Sequence, residues 1–125
     1  TYMLTNLSKS SIYTGHSDDL TARVEQHKTG EFGGFTYRYK CDILIWFEVH
    51  DNRHEAFVRE RRIKKWKRVW KVRLIETNNP GWRDLSLQLI IGDLYDPKFM
   101  SDATRERYLE TLNQTYETRS LPSQG

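Results

Sequence analysis

The fold is decided near the start of the chain, by Tyr2-Met3-Leu4-Thr5 and Ser11-Ile12-Tyr13-Thr14. Both runs favour β-strands, and the polar residues between them favour a turn, so the pattern predicts a β-hairpin. If paired residue numbers add up to 15, Tyr2 and Tyr13 lie directly opposite each other, with Cβ atoms about 5 Å apart. A slip of one residue would put the two tyrosines on opposite faces. The sequence leaves this register open.

A helix is predicted after the hairpin. Ser17, Asp18 and Asp19 offer N-caps, the helix is expected to run to about Lys28, and Gly30 is expected to stop it. Its inner face is expected to carry Leu20, Val24 and His27, with Arg23 beside them. A loop is expected over residues 31–36.

The segment Cys41 to His50 is apolar on both alternating faces, which predicts a strand covered on two sides and placed centrally in a sheet. A long helix is expected to begin at Asp51 or Asn52 and to continue to Arg68 or beyond, with a second helical piece to Thr77. Turn residues 78–81 end it.

Beyond Leu85 the pattern predicts a short apolar run over residues 86–91 and a loop over residues 93–99. Ser101 is expected to cap a further helix with Tyr108, Leu109 and Leu112 facing inward. Residues 121–125 are expected to fray.

The composition excludes several classes of protein. The chain has 125 residues, 37% hydrophobic and 30% charged, which fits one soluble domain. No apolar run is long enough to cross a bilayer, so we do not expect a membrane protein. The single cysteine, Cys41, excludes an internal disulfide and favours a reducing, cytoplasmic setting. The missing initiator Met leaves open whether residues precede Thr1.

Positive charge is concentrated in one segment. Residues 53–73 contain ten basic and two acidic side chains, a net charge of +8, whereas the rest of the chain carries −5. Such a concentration indicates a polyanionic partner such as nucleic acid. The alternative is a solvated helix face, although such faces usually mix both signs.

Glu60 falls within the apolar stripe of the predicted long helix, near Ala56 and Ile63. A buried carboxylate needs a cationic partner, which is either a neighbouring side chain such as Lys64 or a metal ion. His27 also has two interpretations: a core histidine whose ring nitrogens are hydrogen-bonded, or a catalytic residue. Tyr2 and Tyr13 alone would be ordinary strand aromatics.

Taken together, these positions resemble the GIY-YIG nuclease superfamily, in particular the small stand-alone bacterial members related to the N-terminal nuclease half of the excision-repair protein UvrC. The residues that carry the resemblance are Tyr2, Tyr13-Thr14-Gly15, Arg23, His27, Glu60 and Asn79-Pro80-Gly81-Trp82-Arg83-Asp84-Leu85. It covers residues 1–85 as the nuclease domain and leaves 86–125 as a C-terminal extension.

The sequence departs from the family pattern at three places. Thr1-Tyr2-Met3 stands where the family name implies Gly-Ile-Tyr, and Thr14 replaces an aliphatic residue. His16 follows the glycine at a position where UvrC-like relatives carry Lys. The first two departures lose no catalytic atom, whereas the third changes a side chain that is expected to contact a phosphate or water.

The resemblance implies an α+β fold with a small central three-stranded antiparallel sheet flanked by helices and a C-terminal helical extension. It also implies hydrolysis of DNA phosphodiester bonds with one divalent cation, Mg²⁺ or Mn²⁺, held by Glu60. Tyr13 would deprotonate the attacking water, Tyr2 and His27 would orient or share that proton, and Arg23 would hold the scissile phosphate. Gly15, His16 and Asn79 would support the site, although a plain turn asparagine is an equal interpretation of Asn79.

Basic side chains away from the cut would neutralise phosphates without reading sequence. The candidates are Arg38, Lys40, Arg59, Arg62, Lys64, Lys65, Lys67, Arg68 and Lys71. The aromatic residues Phe32, Phe35 and Tyr37 are expected either to stack on unpaired bases or to cap a small core. Trp46, Trp66, Trp70, Trp82 and Cys41 are expected to be buried.

Two other functions remain open on the sequence. One is a nucleic-acid-binding module without turnover, which would have no need of Glu60, and the other is a protein-interaction domain, which would not explain the basic segment. The substrate also stays open between single-stranded, branched and duplex DNA and RNA. DNA repair is the process that the resemblance implies.

Overall fold

A computed structural model describes residues 1–31, 34–91 and 96–120. It places β1 at Tyr2–Thr5, β2 at Ile12–Gly15, α1 at Leu20–Thr29, α2 at Gly34–Tyr39, β3 at Ile43–Phe47, α3 at Arg53–Lys64, α4 at Arg68–Asn78, α5 at Ser86–Ile91, a 3₁₀ helix at Pro97–Phe99 and α6 at Asp102–Ser120. The expected α+β architecture is confirmed. No helix in the described ranges is long and apolar enough to span a lipid bilayer.

The β1–β2 hairpin has a register that the sequence left open. Tyr2 pairs with Gly15 and Leu4 pairs with Tyr13, so Tyr2 and Tyr13 are diagonal rather than directly opposite. This offset of two residues keeps both tyrosines on one face of the sheet, since side chains alternate with a period of two. Their ring centroids are 6.2 Å apart.

The sheet has the strand order β2-β1-β3, and all three strands are antiparallel to their neighbours. The prediction that residues 41–50 form a central strand is therefore wrong, because β1 is central and β3 lies at the edge. The burial of Leu44, Ile45, Trp46 and Phe47 is nevertheless as expected. An apolar pattern on both faces of a strand indicates that other elements pack above and below the sheet. It does not indicate whether the strand has a neighbouring strand on each side.

Two hydrophobic clusters lie on the two faces of the sheet. Tyr2 and Leu4 belong to one cluster, and Met3, which points the other way, belongs to the second. The first also contains Val24 of α1, and the second contains Ile63 and Ile75 of α3 and α4. β1 is thus buried on both faces and holds the helices of the two layers in place.

The expected helix ends are confirmed where cap chemistry is local. Asp19 caps α1 by accepting a hydrogen bond from the Ala22 N–H, and Gly30 ends it with a left-handed φ of 78°. Asn52 caps α3 in the same way through the Glu55 N–H. Both caps fix the helices that carry the site residues.

The long helix breaks earlier than expected, since α3 ends at Lys64 and α4 begins at Arg68. A helical wheel loses its phase across such a break. Trp70, which we expected in the core, is therefore 52% exposed. Trp46 is buried, and Trp66 and Trp82 are half-buried and pack against the second cluster.

The loop expected over residues 31–36 is partly helical, because α2 occupies Gly34–Tyr39. A helix of six residues is too short to leave a periodic signal, and Gly34 at its start has a left-handed φ of 62°. Phe32 lies outside the described residues. The correction matters because α2 carries a contact of the site.

The segment beyond residue 85 adds to the core. Leu89, Phe99 and Met100 are buried, and the Phe99 ring stacks on Phe47 with centroids 4.3 Å apart. Ser101 caps α6 as expected. Leu109 and Leu112 are exposed, so their expected inward orientation is wrong, because residues 109–114 of α6 are all exposed. The loop expected over residues 93–99 is a 3₁₀ helix from Pro97, and residues 92–95 and 121–125 lie outside the described ranges.

Candidate active site

Three side chains from different elements form a hydrogen-bonded chain beneath the sheet. The Tyr2 hydroxyl of β1 lies 2.9 Å from His27 Nε2 of α1, and His27 Nδ1 lies 3.2 Å from the Thr36 hydroxyl of α2. All three residues are buried. Of the three, Thr36 was not singled out from the sequence.

The protonation of this chain follows from its burial. Burial, and then the Arg23 guanidinium, lower the pKa of His27, so the ring is neutral at pH 7. Burial, and then the neighbouring Tyr13, raise the pKa of Tyr2, so its phenol keeps its proton. We therefore assign Tyr2 as donor to His27 Nε2 and the Nδ1–H of His27 as donor to Thr36.

Tyr13 lies at the outer edge of this cluster. Its ring centroid is 5.3 Å from that of His27, and its other side stacks against Phe35 of α2 at 6.3 Å. Tyr13 is half-buried, whereas Tyr2 is fully buried. Of the two tyrosines, Tyr13 is therefore the one within reach of a substrate.

Gly15 has a steric reason to be glycine. A Cβ atom at this position would lie 2.6 Å from the Tyr2 hydroxyl oxygen and 2.7 Å from Tyr2 Cζ, closer than real Cβ atoms approach. The tight fit lets the Tyr2 ring lie over β2 and reach His27. The predicted supporting role of Gly15 therefore has a structural basis.

Arg23 lies on α1 one turn before His27 and is half-buried. It is close enough to lower the pKa values of both His27 and Tyr2. The structure thus brings together four of the five predicted catalytic residues, namely Tyr2, Tyr13, Arg23 and His27.

The fifth, Glu60, is buried on α3, and each of its carboxylate oxygens lies close to a side-chain nitrogen. Its Oε1 lies 3.1 Å from Lys64 Nζ, the ion pair that was one of the two interpretations of the sequence. Its Oε2 lies 3.1 Å from His16 Nδ1, just beyond the end of β2. Because Tyr13 and His16 are only three residues apart, β2 links the carboxylate to the tyrosine cluster.

A divalent cation is compatible with this carboxylate. In the described part of the chain, no three His, Cys, Asp or Glu side chains converge into a metal-binding group. Mg²⁺, however, takes one or two carboxylates from the protein and keeps several waters, so one buried carboxylate fits. The Lys64 side chain is 48% exposed and has solvent to move into when a cation binds.

The basic residues do not form a single face. Arg59 points inward and donates from Nε and Nη2 to the two carboxylate oxygens of Glu48, at 3.0 and 3.3 Å. Together with Arg62, it lines a cavity of about 770 Å³ that also touches the C-terminal segment. These two arginines are thus separated from the rest of the basic set.

A second group of basic residues, Lys64, Arg68 and Lys71, lies on α3 and α4, and Arg68 reaches the hairpin turn. Arg68 donates to the carbonyl oxygens of Lys9 and Ser10. Burial, followed by the charges of Arg68 and Lys64, lowers the pKa of Lys71, which places these three cations together. Lys65 and Lys67 are exposed in the break between the helices, and Arg38 and Lys40 are exposed at α2.

Asn79 is buried and bonds to the backbone. Its Nδ2 donates to the carbonyl oxygens of Ile45 and Arg83 at 3.0 and 2.9 Å, and its Oδ1 accepts from the Arg83 N–H. These bonds tie the turn after α4 to β3. They agree with the interpretation of Asn79 as a structural turn asparagine.

Sequence reasoning missed two contacts of the site. The His16–Glu60 contact joins residues 44 positions apart, and the His16 ring is held by the edge of Phe57 at a centroid distance of 5.5 Å. Thr36 lies in the segment that was expected to be a loop. No local spacing signals either contact, since both depend on how distant elements pack.

Comparison with known proteins gives matches to part of the chain. The family model described as the GIY-YIG catalytic domain matches residues 1–73. UPF0213 proteins of Staphylococcus aureus strains Mu50 and N315 are each 38% identical over 69 residues, which cover 55% of this chain and 84% of the relative. No solved structure matches. The match extends over more than half of the chain and includes Tyr2, Tyr13, Arg23, His27 and Glu60, so this chain belongs to the GIY-YIG family.

Proposed function

We propose that this protein is a metal-dependent endonuclease that hydrolyses phosphodiester bonds in DNA. The observation that carries the proposal is the convergence of the Tyr2–His27–Thr36 chain, Tyr13 and Arg23 with a buried carboxylate, Glu60, through the single strand β2. Membership of the GIY-YIG family supports a nuclease fold. A domain that only bound nucleic acid would not use a buried carboxylate for binding, because a carboxylate repels phosphate.

Glu60 is the residue proposed to hold Mg²⁺ or Mn²⁺. When bound, a divalent cation polarises the phosphate and offsets the negative charge that builds up as the bond breaks. Glu60 supplies the hard oxygen ligand, and burial on α3 fixes the orientation of its carboxylate.

Tyr13 is proposed to remove the proton from the attacking water. Tyr2 is unsuited to this step because its raised pKa and its bond to His27 keep its own proton in place. The Arg23 guanidinium is proposed to hold the scissile phosphate. The water oxygen then forms a bond to phosphorus, and the bond from phosphorus to the leaving nucleoside oxygen breaks.

The buried chain is proposed to position Tyr13. Because Tyr2, His27 and Thr36 come from β1, α1 and α2, their hydrogen bonds fix the surface against which the Tyr13 ring packs. Preorganised groups of this kind avoid reorientation during the reaction.

The DNA backbone is proposed to lie along the basic residues near the hairpin turn. Lys64, Arg68 and Lys71 are close together, and Lys65 and Lys67 extend the surface into the break between α3 and α4. Arg59 is left out because Glu48 already neutralises it. Affinity from these residues would depend on salt and would be nearly blind to sequence.

Single-stranded or branched DNA is the proposed substrate form. Phe35, Tyr37 and Tyr39 of α2 are exposed, and Phe35 stacks on Tyr13. Aromatic side chains beside a cutting site provide stacking surfaces for unpaired bases. The lone cysteine, Cys41, is buried, and burial raises the pKa of its thiol. The proposed setting is therefore the reducing cytoplasm. The proposed process is DNA repair.

The second candidate is a nucleic-acid-binding module without turnover. The favouring observation is that both oxygens of Glu60 already lie 3.1 Å from a side-chain nitrogen, and one of these belongs to Lys64, as in a purely structural ion pair. In that case the carboxylate would serve stability, and the basic surface would account for the whole function.

Cleavage of labelled DNA separates the two candidates. The full chain is incubated with Mn²⁺ or Mg²⁺ and single-stranded, duplex and flap substrates, beside Glu60→Gln, Tyr13→Phe and the control Glu25→Gln, an exposed acid on α1. We expect the native chain and Glu25→Gln to cut, and the other two variants to bind DNA in a gel shift without cutting. Cleavage by Glu60→Gln at more than about a tenth of the native rate would refute the metal site.

A further inference from the structure

His16 has a buried nitrogen without a hydrogen bond. In the described part of the chain, its Nδ1 has no hydrogen-bond partner of normal geometry, although it lies 3.1 Å from Glu60 Oε2. Buried polar atoms are almost always satisfied, so an exception indicates an unmet partner. The ring cannot turn away freely, because the edge of Phe57 packs against it.

The spacing of the two atoms suits joint coordination of a metal ion. Neighbouring ligands of an octahedral ion at about 2.1 Å from the metal lie about 3.0 Å apart. The observed separation of 3.1 Å between His16 Nδ1 and Glu60 Oε2 is close to this value. A neutral imidazole whose proton is on Nε2 has its lone pair on Nδ1, available to a metal.

We propose that His16 and Glu60 form a mixed nitrogen and oxygen ligand pair that selects a first-row transition-metal ion over Mg²⁺. The inference rests on the proposed function, in which Glu60 binds the cation. Carboxylate and water suit Mg²⁺, whereas imidazole suits transition metals, and the affinity of nitrogen-containing sites rises from Mn²⁺ through Co²⁺ to Ni²⁺. The pair would thus bind Mn²⁺, Co²⁺ and Ni²⁺ more tightly than Mg²⁺, with the smallest gain for Mn²⁺.

Calorimetric titration of the full chain with Mg²⁺, Mn²⁺, Co²⁺ and Ni²⁺, without DNA, tests the pair. The native protein should bind Co²⁺ and Ni²⁺ at least about tenfold more tightly than Mg²⁺. His16→Gln should weaken Co²⁺ and Ni²⁺ binding by about tenfold or more and change Mg²⁺ binding by less than about twofold. His54→Gln, an exposed histidine on α3, is the matched control and should bind like the native chain.

A second readout does not depend on the folding of one variant. Because paramagnetic broadening falls steeply with distance, Mn²⁺ should broaden the imidazole NMR signals of His16 in the native protein much more strongly than those of His54, six residues before Glu60 on α3. His16→Phe, which keeps an aromatic ring against Phe57 and removes the nitrogen, should bind metals as His16→Gln does. Native Co²⁺ and Ni²⁺ affinity in either His16 variant would overturn the proposal.

The Glu60→Gln variant separates failure of this inference from failure of the proposed function. If Glu60→Gln loses all metal binding while His16→Gln keeps native affinity for Co²⁺ and Ni²⁺, the ligand pair is refuted and the one-carboxylate site stands. If Glu60→Gln binds every ion as the native chain does, the metal site of the proposed function is refuted together with the pair.

Discussion

Replacement of Gly15 by Ala tests the packing that holds the tyrosine chain. The added Cβ would meet the Tyr2 hydroxyl oxygen at 2.6 Å and must be relieved to at least 3.4 Å, so the hydroxyl retreats by about 0.8 Å. A displacement of this size along the 2.9 Å contact with His27, in either direction, takes that contact outside the normal hydrogen-bond range. Overpacking of this kind costs about 1–3 kcal/mol of stability.

Gly81→Ala is the matched control, because its nearest heavy atom outside the chain neighbours lies 3.6 Å from the added Cβ and its φ is not left-handed. Urea unfolding followed by circular dichroism should show Gly15→Ala less stable than the native chain by about 1–3 kcal/mol and Gly81→Ala unchanged within about 0.5 kcal/mol. Cleavage by Gly15→Ala should fall more than its stability explains. Equal stability of the two variants would refute the argument that Tyr2 fills the space above Gly15.

Three further predictions concern the extension, the basic surface and pH. Deleting residues 86–125 removes Leu89, Phe99 and Met100 from the core, and the burial of each side chain contributes about 1.5–3 kcal/mol to stability. Thermal unfolding of the truncated chain should therefore show a large loss of stability, and a native melting temperature would contradict this. With about five phosphate contacts, log affinity for DNA should fall with log salt at a slope of about −3.5 to −4.5 in a fluorescence titration, whereas a flat response would exclude the basic surface. Burial lowers the pKa of His50 to about 4. The unfolded chain binds that proton below about pH 6.5, so stability should fall as pH drops from 7 towards 4, and His50→Gln should flatten the decline measured by urea unfolding.

Local chemistry was predictable from the sequence, and the relative placement of elements was not. The caps at Asp19, Gly30 and Asn52 depend on one or two residues each, and all three are confirmed. The hairpin register depends on how Tyr2 packs over Gly15, which no alternation of polar and apolar residues reports. For the same reason, β3 was predicted to be a central strand, although it is an edge strand in the structure.

The same distinction, between local contacts and contacts that join distant elements, applies to the candidate site. The Glu60–Lys64 pair is a helical contact of spacing four, so it was an interpretation available from the sequence. The His16–Glu60 and His27–Thr36 contacts join separate elements and became visible only once β2, α1, α2 and α3 were in place. Motif resemblance named most of the residues, but it could not give their partners.

The arrangement of charge explains why both halves of the site can lie in one small domain. The Tyr2–His27–Thr36 chain is neutral, since burial lowers the pKa of His27 and raises that of Tyr2, and it can be buried because its members satisfy one another. Glu60 is as buried as His27, but it faces His16 and the half-exposed Lys64. The proposal thereby gives positioning to the neutral chain, and binding of phosphate and cation to Arg23, Glu60 and the basic residues. Tyr13 contacts the rings of Tyr2 and His27 and is less buried than Tyr2, which supports the proposal that Tyr13, rather than Tyr2, exchanges a proton with a substrate water.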